Sequence, residues 1–158
     1  LIQRGRIVQH GPTADVLTRP ASVAAARLLD LPNLLTGTVE GDGGARRLRW
    51  GPHALEWADA GRHPRGATIA WTILPTRVLL HRADRPSRGE RENPVRASVA
   101  DLVTLGDDVI ARLAPAGLPD VRLHLKVSAH VAQRNGLEPG REVTVSLLAD
   151  AIVPLAAD

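Results

Sequence analysis

Val121-Arg122-Leu123-His124-Leu125-Lys126-Val127 alternates apolar and polar residues without a break. Val121, Leu123, Leu125 and Val127 fall on one side and Arg122, His124 and Lys126 on the other, which predicts a half-buried strand. A short segment, residues 128–135, follows and is closed by Gly136. Leu137-Glu138-Pro139-Gly140 then leads into a second alternating run, residues 141–148. Strand, short helix, turn and strand predict part of a small β-barrel, and residues 94–155 are the part of the chain organised around it.

Working outward, the composition sets bounds. The chain has 158 residues, 44% of them hydrophobic, enough for one ordinary domain or two small modules with a buried core. Its apolar runs are far short of the roughly 20 residues that span a bilayer, and its start lacks the charged-then-apolar layout of a signal peptide. Cysteine is absent, which removes disulfides, thiolate zinc sites and thiol nucleophiles. Methionine is absent too, so the chain is expected to be a fragment of a longer polypeptide. The net charge is +3, and Lys126 is the only lysine. With acids interspersed among the arginines, the basic excess reads as a sign-mixed surface.

The first residues form a head of different character. Residues 5–11 read as a short β run, residues 14–18 as a helix capped by Thr13, and residues 22–29 as a second helix capped by Ser22. Leu31-Pro32-Asn33 ends it. From Leu34 the chain turns to strands: 34–40, a glycine turn at 41–44, then 45–50, 53–57, 67–74 and 77–81. Residues 82–94 are almost free of apolar side chains and read as a connector. Beyond them, residues 95–105 and 109–114 form a hairpin around Gly106-Asp107-Asp108, whose acids suit a hydrated turn.

Gly5-Arg6-Ile7-Val8-Gln9-His10-Gly11, the helix ending in Arg19-Pro20-Ala21-Ser22, and Asn33-Leu34-Leu35-Thr36-Gly37-Thr38-Val39 occur in fixed order. This order resembles the C-terminal edge of an ABC-transporter ATPase domain leading into an accessory β-domain, TOBE. Val103-Thr104-Leu105-Gly106-Asp107 and Asn135-Gly136-Leu137-Glu138-Pro139-Gly140 are similar to TOBE repeats, which are OB-like barrels. The resemblance implies a mainly β fold: an OB-like (TOBE) barrel region with one short helix per unit, preceded by a strand-helix-helix remnant of an α/β ATPase domain. Residues 1–31 would be that remnant, 32–81 a first TOBE segment, 82–94 the linker and 95–158 a second TOBE segment. It further implies the regulatory and dimerisation region of an importer's ATP-binding subunit, cytoplasmic and peripheral at the inner face of the membrane, pairing as a homodimer and meeting the membrane subunits through the parent ATPase domain.

No catalytic constellation accompanies the resemblance. The sequence has no Gly-x-x-x-x-Gly-Lys-Ser/Thr loop to cradle a triphosphate, no apolar strand ending in Asp-Glu and no Gly-x-Ser-x-Gly elbow. The chain is therefore expected to be non-catalytic and to hold no cofactor, with ATP and magnesium implied only for the parent. The six histidines are scattered and offer no metal spacing. One anion site is expected, where Lys126, Ser128 and His130 surround the start of the short helix. The resemblance implies molybdate or sulfate as the oxyanion, although Leu148-Ala149 stands where that family often has Lys-Ala. The alternative is an OB-fold module for single-stranded nucleic acid. It would need aromatic stacking platforms, and Trp50, Trp57 and Trp71 all lie in runs that read as core.

Overall fold

Strands form where apolar and polar residues alternate, and the computed structural model, which describes residues 1–82 and 92–157, is mainly β. Most of the expected connector, residues 83–91, lies outside the described residues. The first strands, β1 (Ile2–Gln3) and β2 (Arg6–Ile7), form a hairpin rather than the single run expected over residues 5–11. The cause is the turn: Arg4 (φ 48°) and Gly5 (φ 76°) both adopt left-handed backbone, which reverses the chain within two residues. Two helices follow, α1 (Thr13–Thr18) and α2 (Val23–Leu28). Thr13 does not cap α1: Pro12 holds that position without a side-chain bond, because its fixed φ already suits a helix start. Ser22 caps α2 as expected, its Oγ accepting the Ala25 N–H at 3.2 Å.

The β region consists of β3 (Leu34–Glu40), β4 (Arg47–Trp50), β5 (His53–Leu55), β6 (Thr68–Thr72) and β7 (Val78–Leu80), then β8 (Pro94–Leu105), β9 (Asp108–Pro115), β10 (Leu123–Ser128), a third helix α3 (Ala129–Arg134), β11 (Glu142–Leu147) and β12 (Val153–Leu155). The expected helix of the first half is absent: between β5 and β6, the place that α3 takes between β10 and β11, there is a single 3-10 turn, Ala60–Arg62. No helix among the described residues is long and apolar enough to cross a membrane.

Two five-stranded antiparallel sheets result, ordered β12-β6-β3-β4-β5 and β7-β11-β8-β9-β10. The two orders are equivalent, with β3, β4, β5 and β6 matching β8, β9, β10 and β11. In each case the strand that follows the last member crosses to the other sheet: β7 pairs with β11, and β12 pairs with β6. Each OB-like half therefore closes with a strand from the other. β12 has no counterpart among the expected strands, because three residues containing Pro154 carry no readable alternation.

One hydrophobic core runs through both sheets, from Leu35, Val39 and Leu48 to Val95, Leu113, Leu125 and Leu147. Trp71 is fully buried at its centre and meets Trp50 edge to face with ring centroids 5.5 Å apart. The Gly37 of the Asn-Leu-x-x-Gly-x-Val step has a physical reason: a β-carbon there would stand 2.8 Å from the Arg49 carbonyl oxygen and from the Leu48 side chain. At this point β3 approaches its neighbour β4 more closely than any larger residue permits.

Two buried asparagines tie the halves together in a reciprocal way. Asn33, just before β3, donates from Nδ2 to the carbonyls of Ile73 and His124 (both 2.9 Å) and accepts the His124 N–H at 2.7 Å. Asn93, just before β8, donates to the carbonyls of Glu56 and Leu147 (both 2.7 Å) and accepts the Glu56 N–H at 2.7 Å. Each side chain therefore bridges the end of its own half's β6 or β11 to the third strand of the opposite half. Edge-strand polar groups that would otherwise be unpaired are satisfied by an amide that matches one N–H and one C=O of the same residue.

The head docks through the far end of the chain. The Val23 N–H donates to the Ala156 carbonyl and the Ala156 N–H to the Ala21 carbonyl, each at 3.0 Å. Ile2 and Ile7 remain 70% exposed, so the hairpin presents its apolar side chains outward.

Candidate functional site

The expected anion residues sit where β10, an edge strand, passes into α3. Leu123 and Leu125 face the core, which leaves His124, Lys126 and Ser128 on the opposite side at intervals of two. Ser128 is the N-cap of α3, its Oγ accepting the Val131 N–H at 3.2 Å. The hydroxyl proton is still available for donation. Lys126 pairs with Asp108 across the β9–β10 hairpin (Nζ–Oδ2 2.7 Å), and His130 is exposed on the first turn of α3. Asp107 and Asp108 thus do more than decorate a turn: the Asp107 carbonyl accepts the Ala129 N–H at 2.8 Å, fixing where α3 begins. The helix ends by its own chemistry. Asn135 Nδ2 donates to the Val131 carbonyl at 2.8 Å, and Gly136 (φ 59°) takes the left-handed conformation that stops the helix.

His124 is the ionisable group that the fold perturbs on this face. Burial holds its pKa below the usual 6.5, the Arg112 guanidinium opposite it on β9 adds to this, and Asp101 and the Arg122 backbone act weakly the other way. Its Nδ1 is buried without a partner among the described residues. The folded chain then takes up this proton at lower pH than the unfolded chain does. The stability contributed by neutral His124 is complete above about pH 6.5 and is lost as pH falls through the lowered value. Urea midpoints of a His124→Gln variant should therefore fall less between pH 7 and pH 5 than those of the parent. Parallel pH curves would refute this.

The tryptophans are spent on packing. Trp50, Trp57 and Trp71 are 3%, 5% and 0% exposed, and Trp57 stacks on His63 at 5.1 Å. Rings held this way cannot receive nucleobases.

The TOBE-domain family model matches residues 72–155, which include β7 to β12 and with them every strand of the second sheet. The chain belongs to the TOBE-domain family. Among curated proteins, the molybdenum import ATP-binding protein ModC of Mycobacterium tuberculosis (strain H37Rv) is 31% identical over 156 residues, which is 96% of this chain and 40% of that protein. The molybdate/tungstate import ATP-binding protein WtpC of Thermococcus kodakarensis is 34% identical over 106 residues, 65% of this chain and 28% of that protein. This TOBE chain thus spans less than half the length of these relatives, and its similarity to ATP-binding subunits of ABC importers agrees with the resemblance read from the head. The solved structure of ModG, a cytoplasmic molybdate-binding protein, superposes with a TM-score of 0.66 at 19% identity, over 80% of this chain and 97% of that one. At that identity the match establishes the OB-like fold.

Sequence reasoning missed the two residues that set the geometry of this region, Asn33 and Asn93. A signal for them exists: Asn33-Leu34-Leu35-Thr36-Gly37-Thr38-Val39 and Asn93-Pro94-Val95-Arg96-Ala97-Ser98-Val99 share an asparagine, a small residue four positions later and a valine six positions later. That internal repeat is short, and it becomes meaningful only when both copies are seen to grip the opposite half.

Proposed function

We propose that this TOBE chain is the C-terminal regulatory and dimerisation region of the ATP-binding subunit of an ABC importer for an oxyanion such as molybdate or sulfate. The observation that carries this reading is the similarity along nearly the whole chain to molybdenum-importing ATP-binding subunits. Residues 1–31 are then the end of the ATPase domain, and the parent subunit supplies the ATP and magnesium chemistry. The region itself does no catalysis. It works as a homodimer in the cytoplasm, at the inner face of the membrane, where the parent domain meets the membrane subunits.

In this reading Lys126, Ser128 and His130 form the anion contact. Lys126 has donors beyond the one given to Asp108, Ser128 has its hydroxyl proton, and His130 stands open to solvent. Asp108 would compete with the anion, so occupancy would reorganise the β9–β10 hairpin and thereby the sheet joined to the other half by Asn33. Regulatory coupling of this kind is typically about 1–3 kcal/mol.

Because the halves exchange strands, removing one would damage the other, and the informative truncation removes everything from Asn33 onward. In the full-length subunit this deletion should leave nucleotide binding intact and abolish inhibition of transport by excess oxyanion. Inhibition that persists unchanged in the truncated transporter would dispose of the proposal.

A further inference from the structure

A pocket of about 420 Å³ lies on the outer face of the second sheet, where β7, β8 and β11 approach the end of α3. Its floor is one cross-strand row. The His81 N–H donates to the Thr144 carbonyl at 2.9 Å, and Thr144 is paired in register with Arg96. Arg96 and Thr144 face outward because they alternate with core-facing Val95, Ala97 and Val145. Arg141, in the turn before β11, closes the pocket from the side, with its guanidinium 3.8 Å from where a β-carbon on Gly136 would stand. Arg82 and Glu142 complete the charged lining. Within this lining Arg96 and Arg141 outnumber the one carboxylate, Glu142.

Arg47, Arg49, Arg62, Arg65, Arg77 and Arg112 each pair with a carboxylate. Among the described residues, the guanidinium groups of Arg96 and Arg141 have neither an ion pair nor a hydrogen bond. Two unpaired guanidinium groups and the Thr144 side chain lining one pocket suit a group that carries several acceptor oxygens.

We propose that Arg96 and Arg141, with Thr144 as a neutral donor, bind a tetrahedral oxyanion group in this pocket. This site is separate from the contact assigned to Lys126, Ser128 and His130 and does not rest on it. The group is either a free oxyanion or the phosphate of a larger ester, for which the volume leaves room.

The test is calorimetric titration of the 158-residue chain at low ionic strength with molybdate, sulfate, phosphate and adenosine monophosphate. Saturable binding is expected for at least one of them, weakened roughly tenfold by Arg96→Gln and by Arg141→Gln, the effect of losing one charge-assisted bond. Glu142→Gln removes the opposing carboxylate and should tighten binding several-fold, an outcome that a misfolded variant would not give. Equal affinity for phosphate and the nucleotide identifies a free ion as the ligand, and tighter nucleotide binding identifies an ester; both support the site. No saturable binding of any of the four, or binding that survives both arginine substitutions, overturns it. If binding survives those two and is lost in Lys126→Gln, the pocket is refuted while the proposed contact on β10 stands.

Discussion

Asn33→Ala is expected to lower the stability of the whole chain by about 3 kcal/mol, because it strands a buried N–H and two carbonyls at once. The lost bonds are those to Ile73 and His124, and no side chain next to Asn33 can replace an amide that donates and accepts together. Asn93→Ala should cost a similar amount through Glu56 and Leu147. Asn33→Asp should be at least as damaging, since it sets a carboxylate oxygen against two carbonyl oxygens. Against a total of roughly 5–15 kcal/mol for a folded domain, either loss is large. Urea denaturation provides the measurement. A midpoint within error of the parent would mean that the clamps contribute nothing.

Trp71→Ala should cost still more, about 3–5 kcal/mol, the range for deleting a large aromatic ring from a closed core. Trp71 is fully buried, and the edge-to-face contact with Trp50 would be lost with it. Trp71→Phe separates volume from chemistry. The indole Nε1 is buried without a hydrogen-bond partner among the described residues, so phenylalanine gives up ring area but also removes an unsatisfied donor. The phenylalanine variant should recover more than half of the loss seen with alanine. Equal losses for the two would show that the site depends on the indole nitrogen rather than on packing.

How far the sequence predicts this molecule depends on whether a feature is local. The strand β3 is legible from the alternation beginning at Leu34, and the Ser22 and Ser128 caps are legible because a capping hydroxyl needs only its own helix. The exchange of β7 and β12 is not, since neither three-residue strand encodes which sheet it will join. The head hairpin was hidden for a related reason: Arg4 adopts a left-handed conformation that its residue type does not advertise. Lys126, Ser128 and His130 could be proposed from sequence because they are neighbours in it. Arg96 and Arg141 could not, because only the pairing of β8 with β11 puts them at one pocket.

The proposed relay from β10 to the rest of the subunit requires that the halves do not open independently, and the exchanged strands and paired asparagines supply that constraint. Native-state hydrogen exchange of the two clamped amides, His124 N–H and Glu56 N–H, tests this most directly. Both are expected to exchange only through global unfolding, with equal protection that falls together when either Asn33 or Asn93 is replaced by alanine. Protection of one amide that is well below the other in the parent chain, or that stays unchanged when the opposite clamp is removed, would contradict it.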